Sequence, residues 1–256
     1  MEREVPGMEN QHSFLTEPKI KGAINMFEKI ISKQLGLADH GWLNTIHHFS
    51  FANYYDPNNM NFGVLRVLND DFIKPHRGFG THPHNDMEII TYVIKGKLTH
   101  ADSMGNQHEI GRGDVQYMSA GTGVYHSEHN LGKDSLRLIQ LWIIPDKAGH
   151  TPNYGDLVSD WEEREGKWYH MVSPVDGNAP IKIHQDANIY SLALNENEEI
   201  SFEMKKDRQA YLVLLEGNAV VNGELLEASD AAKIIEEDIK IKSKDFSHYL
   251  VVEMKK

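Results

Sequence analysis

The 256-residue chain carries 38 acidic against 26 basic residues, a formal charge of -12, and it contains no cysteine. The acidic balance disfavours nucleic acid and anionic membrane as direct partners, and the lack of thiols excludes disulfides, thiolate metal sites and cysteine nucleophiles. No apolar run approaches the about 20 residues that a membrane-spanning helix needs, and the start MEREVPGMENQHSFLTEP lacks the apolar core of a signal peptide, so a cytoplasmic location is expected.

In chain order, residues 1–25 are polar and interrupted by Pro6, Gly7, Pro18 and Gly22, which predicts an N-terminal extension with little structure of its own. Phe27, Ile30, Ile31 and Leu35 stand near helical spacing ahead of Gly36, so a short helix is predicted over 27–37. The aromatic-rich stretch HGWLNTIHHFSFANYYDPNNMNFGVLRVLNDDFIKP reads as strands and long loops. Residues 89–94 are β-branched and aromatic, with turns at 95–97 and 103–106, and LRLIQLWII at 136–144 reads as a buried strand ended by Pro145. Residues 146–184 are rich in Gly, Pro and charge and read as a connector, with Trp161 and Trp168 as anchors onto a domain surface. Beyond them, short strands with turns at regular intervals resume.

The two halves align on Tyr92-Val93-Ile94-Lys95-Gly96 and Leu212-Val213-Leu214-Leu215-Glu216-Gly217, each followed by a second glycine turn and an aspartate, Asp114 and Asp230. This internal repeat predicts two similar β-barrel domains, 26–145 and 185–256.

Chemistry concentrates in the stretch from Gly78 to Asn130. His82 and His84 are separated by one residue, as are His126 and Glu128, and side chains at i and i+2 of a strand share a face. Antiparallel pairing of the two segments would gather three imidazoles and a carboxylate around one point, a metal site. Pro83 suits an edge strand, since it donates no ladder hydrogen bond. A nitrogen and oxygen ligand set with positions left open suits a divalent metal, and Fe(II), Ni(II), Cu(II), Mn(II) and Zn(II) all remain open on these residues. In the second half the corresponding positions fall on about Ser201 and Glu203 and near Lys242 and Lys244, so only the first domain is expected to bind metal. Glu88 shares the face of His84 if the strand is regular, as a fifth ligand, an orienting partner or a structural residue. His129 is expected to point away, His47 and His48 to be hydrogen-bonded structural residues, and His76, His100 and His108 to have no partners at ligand spacing. No helix follows Gly111, Gly113, Gly121 or Gly123, so they read as turn glycines rather than a phosphate cradle.

HGWLNTIHHFSFANYYDP, GFGTHPHNDMEIITYVIKGKLTHADSMGN and GDVQYMSAGTGVYHSEHN resemble the signature segments of pirin-like proteins of the cupin superfamily, particularly the bacterial members called quercetin 2,3-dioxygenases. The resemblance is strong over 38–145 and extends to the rest by plan. Gly78, His82, His84 and Glu88 stand for the first cupin motif, and Gly113, Gly121, His126 and Asn130 for the second, with Ser119 where many cupins have proline. The resemblance implies an all-β bicupin, two antiparallel jelly-roll barrels packed together, with one metal ion, commonly iron, on His82, His84, His126 and Glu128. It implies oxygenative ring opening of a flavonol-like aromatic substrate by dioxygen with release of carbon monoxide, with Glu128 also the catalytic base. Phe79, Thr91 and Met118 are then candidates for the substrate wall. The family also contains regulatory members, which implies a second reading: a metal-binding or redox-sensing protein that acts through protein partners without turnover.

Overall fold

A computed structural model describes residues 25–256, so the extension expected over 1–25 lies outside the described residues apart from Asn25. The strands of the first half are β1 (Met26–Ile30), β2 (Gly36–Asp39), β3 (Leu43–His47), β4 (Leu65–Ile73), β5 (Arg77–His84) and β6 (Glu88–Lys95). They continue through β7 (Leu98–Asp102), β8 (Gln107–Ile110), β9 (Val115–Ser119), β10 (Val124–Asn130), β11 (Leu136–Ile143) and β12 (Asn153–Leu157). The second half contributes β13 (Tyr169–Pro174), β14 (Ile181–Ile183), β15 (Ala187–Leu194), β16 (Glu199–Phe202) and β17 (Arg208–Glu216). It ends with β18 (Asn218–Val221), β19 (Glu224–Glu227), β20 (Ala231–Ile235), β21 (Ile239–Ser243) and β22 (Ser247–Lys255).

Each half is a jelly roll in which a seven-stranded sheet faces a four-stranded one. The first has the orders β12-β9-β6-β11-β4-β3-β2 and β5-β10-β7-β8, the second β1-β20-β17-β22-β15-β13-β14 and β16-β21-β18-β19. The two large sheets pack back to back, and one core runs through both, from Ile90, Tyr92 and Ile139 to Tyr211, Val213 and Val252. This explains the sequence of β6, which is buried on both faces and so apolar nearly throughout. By contrast β10 alternates, because one face of its four-stranded sheet meets solvent: Val124, His126, Glu128 and Asn130 are buried and the residues between them are not.

The interior of the second barrel is apolar, built from residues such as Leu192, Leu212, Leu214 and Val251. The first barrel differs. Its apolar residues form two plugs, one around Ile73, Val93 and Leu138 and one of Ile89, Met118 and Val124. Between them runs a polar row across the large sheet, in which Gln116 pairs with Thr91, Thr91 with Gln140, Gln140 with Asn69, and Asn69 with His47.

Two expectations from the sequence change here. The helix predicted over 27–37 is a strand, a 3₁₀ turn at Ser32–Gln34 and a second strand. Met26–Ile30 pairs with β20 from the far end of the chain, and that tertiary partner overrides the weak local helical spacing. The segment read as a connector, 146–184, is itself built into both large sheets: β12 extends the first beside β9, and β13 extends the second beside β15. Its tryptophans do anchor, Trp161 against the ring of His248 at 5.0 Å and Trp168 against Phe202 at 5.3 Å. Among the described residues, no helix is long and apolar enough to cross a membrane.

Candidate metal centre and its cavity

The histidine pairs meet because β5 and β10 are antiparallel neighbours with His126 directly opposite His82 and Val124 opposite His84. A bulge between His126 and Glu128 shifts the register, so that Glu128 lies opposite Phe79. β5 is the edge of its sheet, which accommodates Pro83. Gly78 permits the close approach: a Cβ there would lie 2.2 Å from the carbonyl oxygen of Glu128 and 2.6 Å from the Cα of His129.

One donor nitrogen from each of His82, His84 and His126 falls within 4.8 Å of the others. Ring centroids are 4.5 Å apart for His82 and His126, 4.8 Å for His82 and His84, and 4.9 Å for His84 and His126. Burial lowers the pKa of His84 to about 4 and that of His126 to about 3, with the neighbouring imidazoles adding to both shifts. At neutral pH these rings are therefore uncharged and offer lone pairs. The Nδ1 of His82 lies 2.8 Å from the carbonyl oxygen of Gly80, an arrangement in which Nδ1–H donates and Nε2 stays free. Both ring nitrogens of His126 are buried without a protein partner. A divalent metal would partner one of them, so the residues present fit such an ion.

Glu128 lies beside this trio rather than within it. Its buried carboxylate accepts a hydrogen bond from Thr91 Oγ1 on Oε1 at 3.0 Å and one from Gln140 Nε2 on Oε2 at 2.7 Å. Each oxygen retains a lone pair, and the two donors fix the plane of the group.

His82, His84 and Glu128 line a cavity of about 500 Å3 between the two sheets of the first barrel, with His126 buried behind them. Its walls are aromatic, with Trp42 edge-on to Phe79 at 5.2 Å and Phe51 edge-on to Trp142 at 5.3 Å. Trp142 also meets the ring of His84 at 4.9 Å. The floor is the polar row with its neighbours: Thr45, His47, Asn69, Asp71 and Gln140. Burial pushes the Asp71 carboxyl up to about 7; Thr45 opposes the shift, and the charges of Asp70 and Glu128 add to it.

Of the wall residues expected from sequence, Phe79 lines the cavity, Thr91 holds Glu128, and Met118 sits in the apolar plug. Glu88 does not share the face of His84. The turn after β5, with Asp86 at φ 47°, carries the chain to the other sheet, where the Glu88 carboxylate accepts a hydrogen bond from the backbone N–H of His184 at 3.2 Å. There it accepts hydrogen bonds from Tyr117 Oη and Ser119 Oγ, both at 2.6 Å. His48 is structural as expected, bonded to Tyr211 Oη at 3.0 Å. His47 bonds Asn69 at 2.9 Å and also lines the cavity. His100, set aside for lack of a partner, lies opposite Glu128 on β7 with its ring 5.4 Å from that of His126, and Asp102 bonds it at 3.2 Å. Its signal was the alternation of β7, which turns His100 to the barrel interior.

Residues 29–143 match the family model Pirin, and residues 170–254 match the model of the quercetinase C-terminal cupin domain. A pirin-like protein of Caulobacter vibrioides is 47% identical over 80% of this chain and 89% of its own length. A quercetin 2,3-dioxygenase of Escherichia coli is 44% identical over 80% of this chain and 88% of its own. The crystal structure of a bacterial pirin from Escherichia coli in complex with nickel(II) superposes with a TM-score of 0.84 at 40% identity, covering 90% of this chain and 99% of that one.

Proposed function

The chain belongs to the pirin family of bicupin proteins, and from that premise we propose that it is a metal-dependent, quercetin 2,3-dioxygenase-like enzyme that opens the central ring of a flavonol with dioxygen and releases carbon monoxide. The observation that carries this reading is the meeting of three imidazoles, donor atoms within 4.8 Å of one another, beside an aromatic cavity.

His82, His84, His126 and Glu128 would hold the metal, which when bound supplies Lewis acidity toward the substrate oxygens and the redox chemistry that ground-state dioxygen requires. Fe(II) is the metal this reading places first, and Ni(II) second because a relative binds it. Glu128 takes the proton of the flavonol 3-hydroxyl on a carboxylate oxygen, while Thr91 and Gln140 keep the carboxylate from turning. Trp42, Phe51, Phe79 and Trp142 hold the flat faces of the rings and displace water from the cavity. Among the described residues no Lys or Arg lines the cavity. A substrate bearing phosphate or carboxylate would find no Lys or Arg there, whereas a neutral phenol suits the walls and the floor.

The test is carbon monoxide release and oxygen uptake with quercetin, using protein stripped of metal and reloaded separately with Fe(II), Ni(II), Cu(II), Mn(II) or Zn(II). One dioxygen consumed and one carbon monoxide released per flavonol, with one of these metals and lost in His82→Ala, is the expected result. Stoichiometric metal binding that His82→Ala abolishes, with no turnover under any metal, would overturn the enzyme reading.

A further inference from the structure

Asp71 is a carboxylate in the cavity that the reaction above leaves unused. It stands on β4 opposite Thr45 of β3 and is 2% exposed. Its neighbour Asp70 points to the other side of the sheet, where Arg137 holds it through two hydrogen bonds of 2.9 and 2.7 Å. Asp71 has no such partner, since none of the cavity-lining residues is a Lys or Arg. Burying a carboxylate without a cation is costly, and a fold that retains one calls for an explanation.

The rest of the polar floor is already engaged. His47 and Asn69 bond each other at 2.9 Å, and Gln140 donates to Glu128 at 2.7 Å. Asp71 accepts a hydrogen bond from the hydroxyl of Thr45, which leaves its other acceptor positions for a ligand, and the aromatic rings of Trp42, Phe79 and Trp142 line the same cavity. A flat molecule with apolar faces and an O–H donor on its edge completes this arrangement; an anion does not.

On the flavonol reading given above, we propose that Asp71 is a specificity residue: it accepts a hydrogen bond from a phenolic hydroxyl other than the one that reacts, so that the cavity selects polyhydroxylated flavonols over 3-hydroxyflavone.

The experiment is equilibrium binding of quercetin and of 3-hydroxyflavone, read by quenching of tryptophan fluorescence, to the metal-loaded protein, Asp71→Asn and Asp71→Leu. Turnover of both compounds is followed in parallel, and thermal unfolding confirms that each variant is folded. A buried hydrogen bond to a carboxyl oxygen is worth about tenfold in affinity. The wild type should therefore bind quercetin by that much more tightly than 3-hydroxyflavone, and both variants should lose about tenfold of the discrimination. An unchanged preference overturns the proposal. So does an equal loss for both compounds, which would place Asp71 at the hydroxyl they share. Selective, Asp71-dependent binding without turnover would instead refute the ring-opening reading and leave the recognition role standing.

Discussion

Gly78 and Gly80 lie two residues apart on β5, and the same substitution at each should have opposite outcomes. A Cβ at Gly78 would sit 2.2 Å from Glu128 O and 2.6 Å from His129 Cα, both backbone atoms of β10, whereas nothing lies within 4 Å of a Cβ at Gly80. Neither glycine has a positive φ, so the difference is steric. In Gly78→Ala the strands must move apart by about 1 Å to restore ordinary contact, which corresponds to an overpacking cost of about 1–3 kcal/mol. In a domain of this size each kcal/mol lowers Tm by roughly 2–4 °C. Because β5 carries His82 and His84 while β10 carries His126 and Glu128, the same displacement opens the ligand set, and metal affinity should fall by about tenfold or more. Scanning calorimetry with titration of Ni(II) measures both effects, and Gly80→Ala should match the wild type in each. A Gly78→Ala protein with unchanged Tm and unchanged metal affinity would refute the argument that this glycine sets the β5–β10 spacing.

Removing the donors that hold Glu128, in Thr91→Val or Gln140→Leu, should cost about 10–100-fold in metal affinity or turnover, measured by metal titration and oxygen uptake, while the variants remain folded. Glu88→Gln should keep one equivalent of metal with unchanged affinity, because its carboxylate serves Tyr117 and Ser119, yet lose about 1–3 kcal/mol of stability; loss of metal binding would return Glu88 to the ligand set. Burial holds His48 at about 4, below its unfolded value of 6.5, so the unfolded chain binds the additional proton and the folded state loses up to about 3 kcal/mol as pH falls from 6.5 to 4, with no effect above that window. Urea unfolding of the wild type and His48→Asn across that range should show a shallower slope in the variant, and parallel slopes would contradict the assignment.

The placement of the two candidate pairs is legible because both lie within single short strands, where a period of two is enough to place His82 with His84 and His126 with Glu128 on shared faces. The repeat was legible for a similar reason, since each half carries its own copy of the strand that ends in a glycine turn. Glu88 was misplaced because strand regularity was carried across residues 85–87, where the chain leaves one sheet for the other. The helix expected at 27–37 failed on a longer scale: Met26–Ile30 pairs with Ala231–Ile235, and no local window contains that partner.

The cavity floor shows where such reading stops and what additional signal the sequence held. Thr45, Asn69, Asp71, Thr91 and Gln140 come from four strands, β3, β4, β6 and β11, and their common face exists only once the register between those strands is set. β6 and β11 are otherwise largely apolar, so a polar residue in the interior of either has to be satisfied by a neighbour or by a ligand. Gln140 within LRLIQLWI and Thr91 within EIITYVIK are such residues, and in the structure both turn to Glu128. The corresponding interior of the second barrel is lined by Leu212, Leu214 and Val251. The two halves thus share a strand plan and differ in the side chains that face inward. A barrel without polar residues inside can fill its interior by packing alone, whereas the first barrel keeps its polar row facing an open cavity.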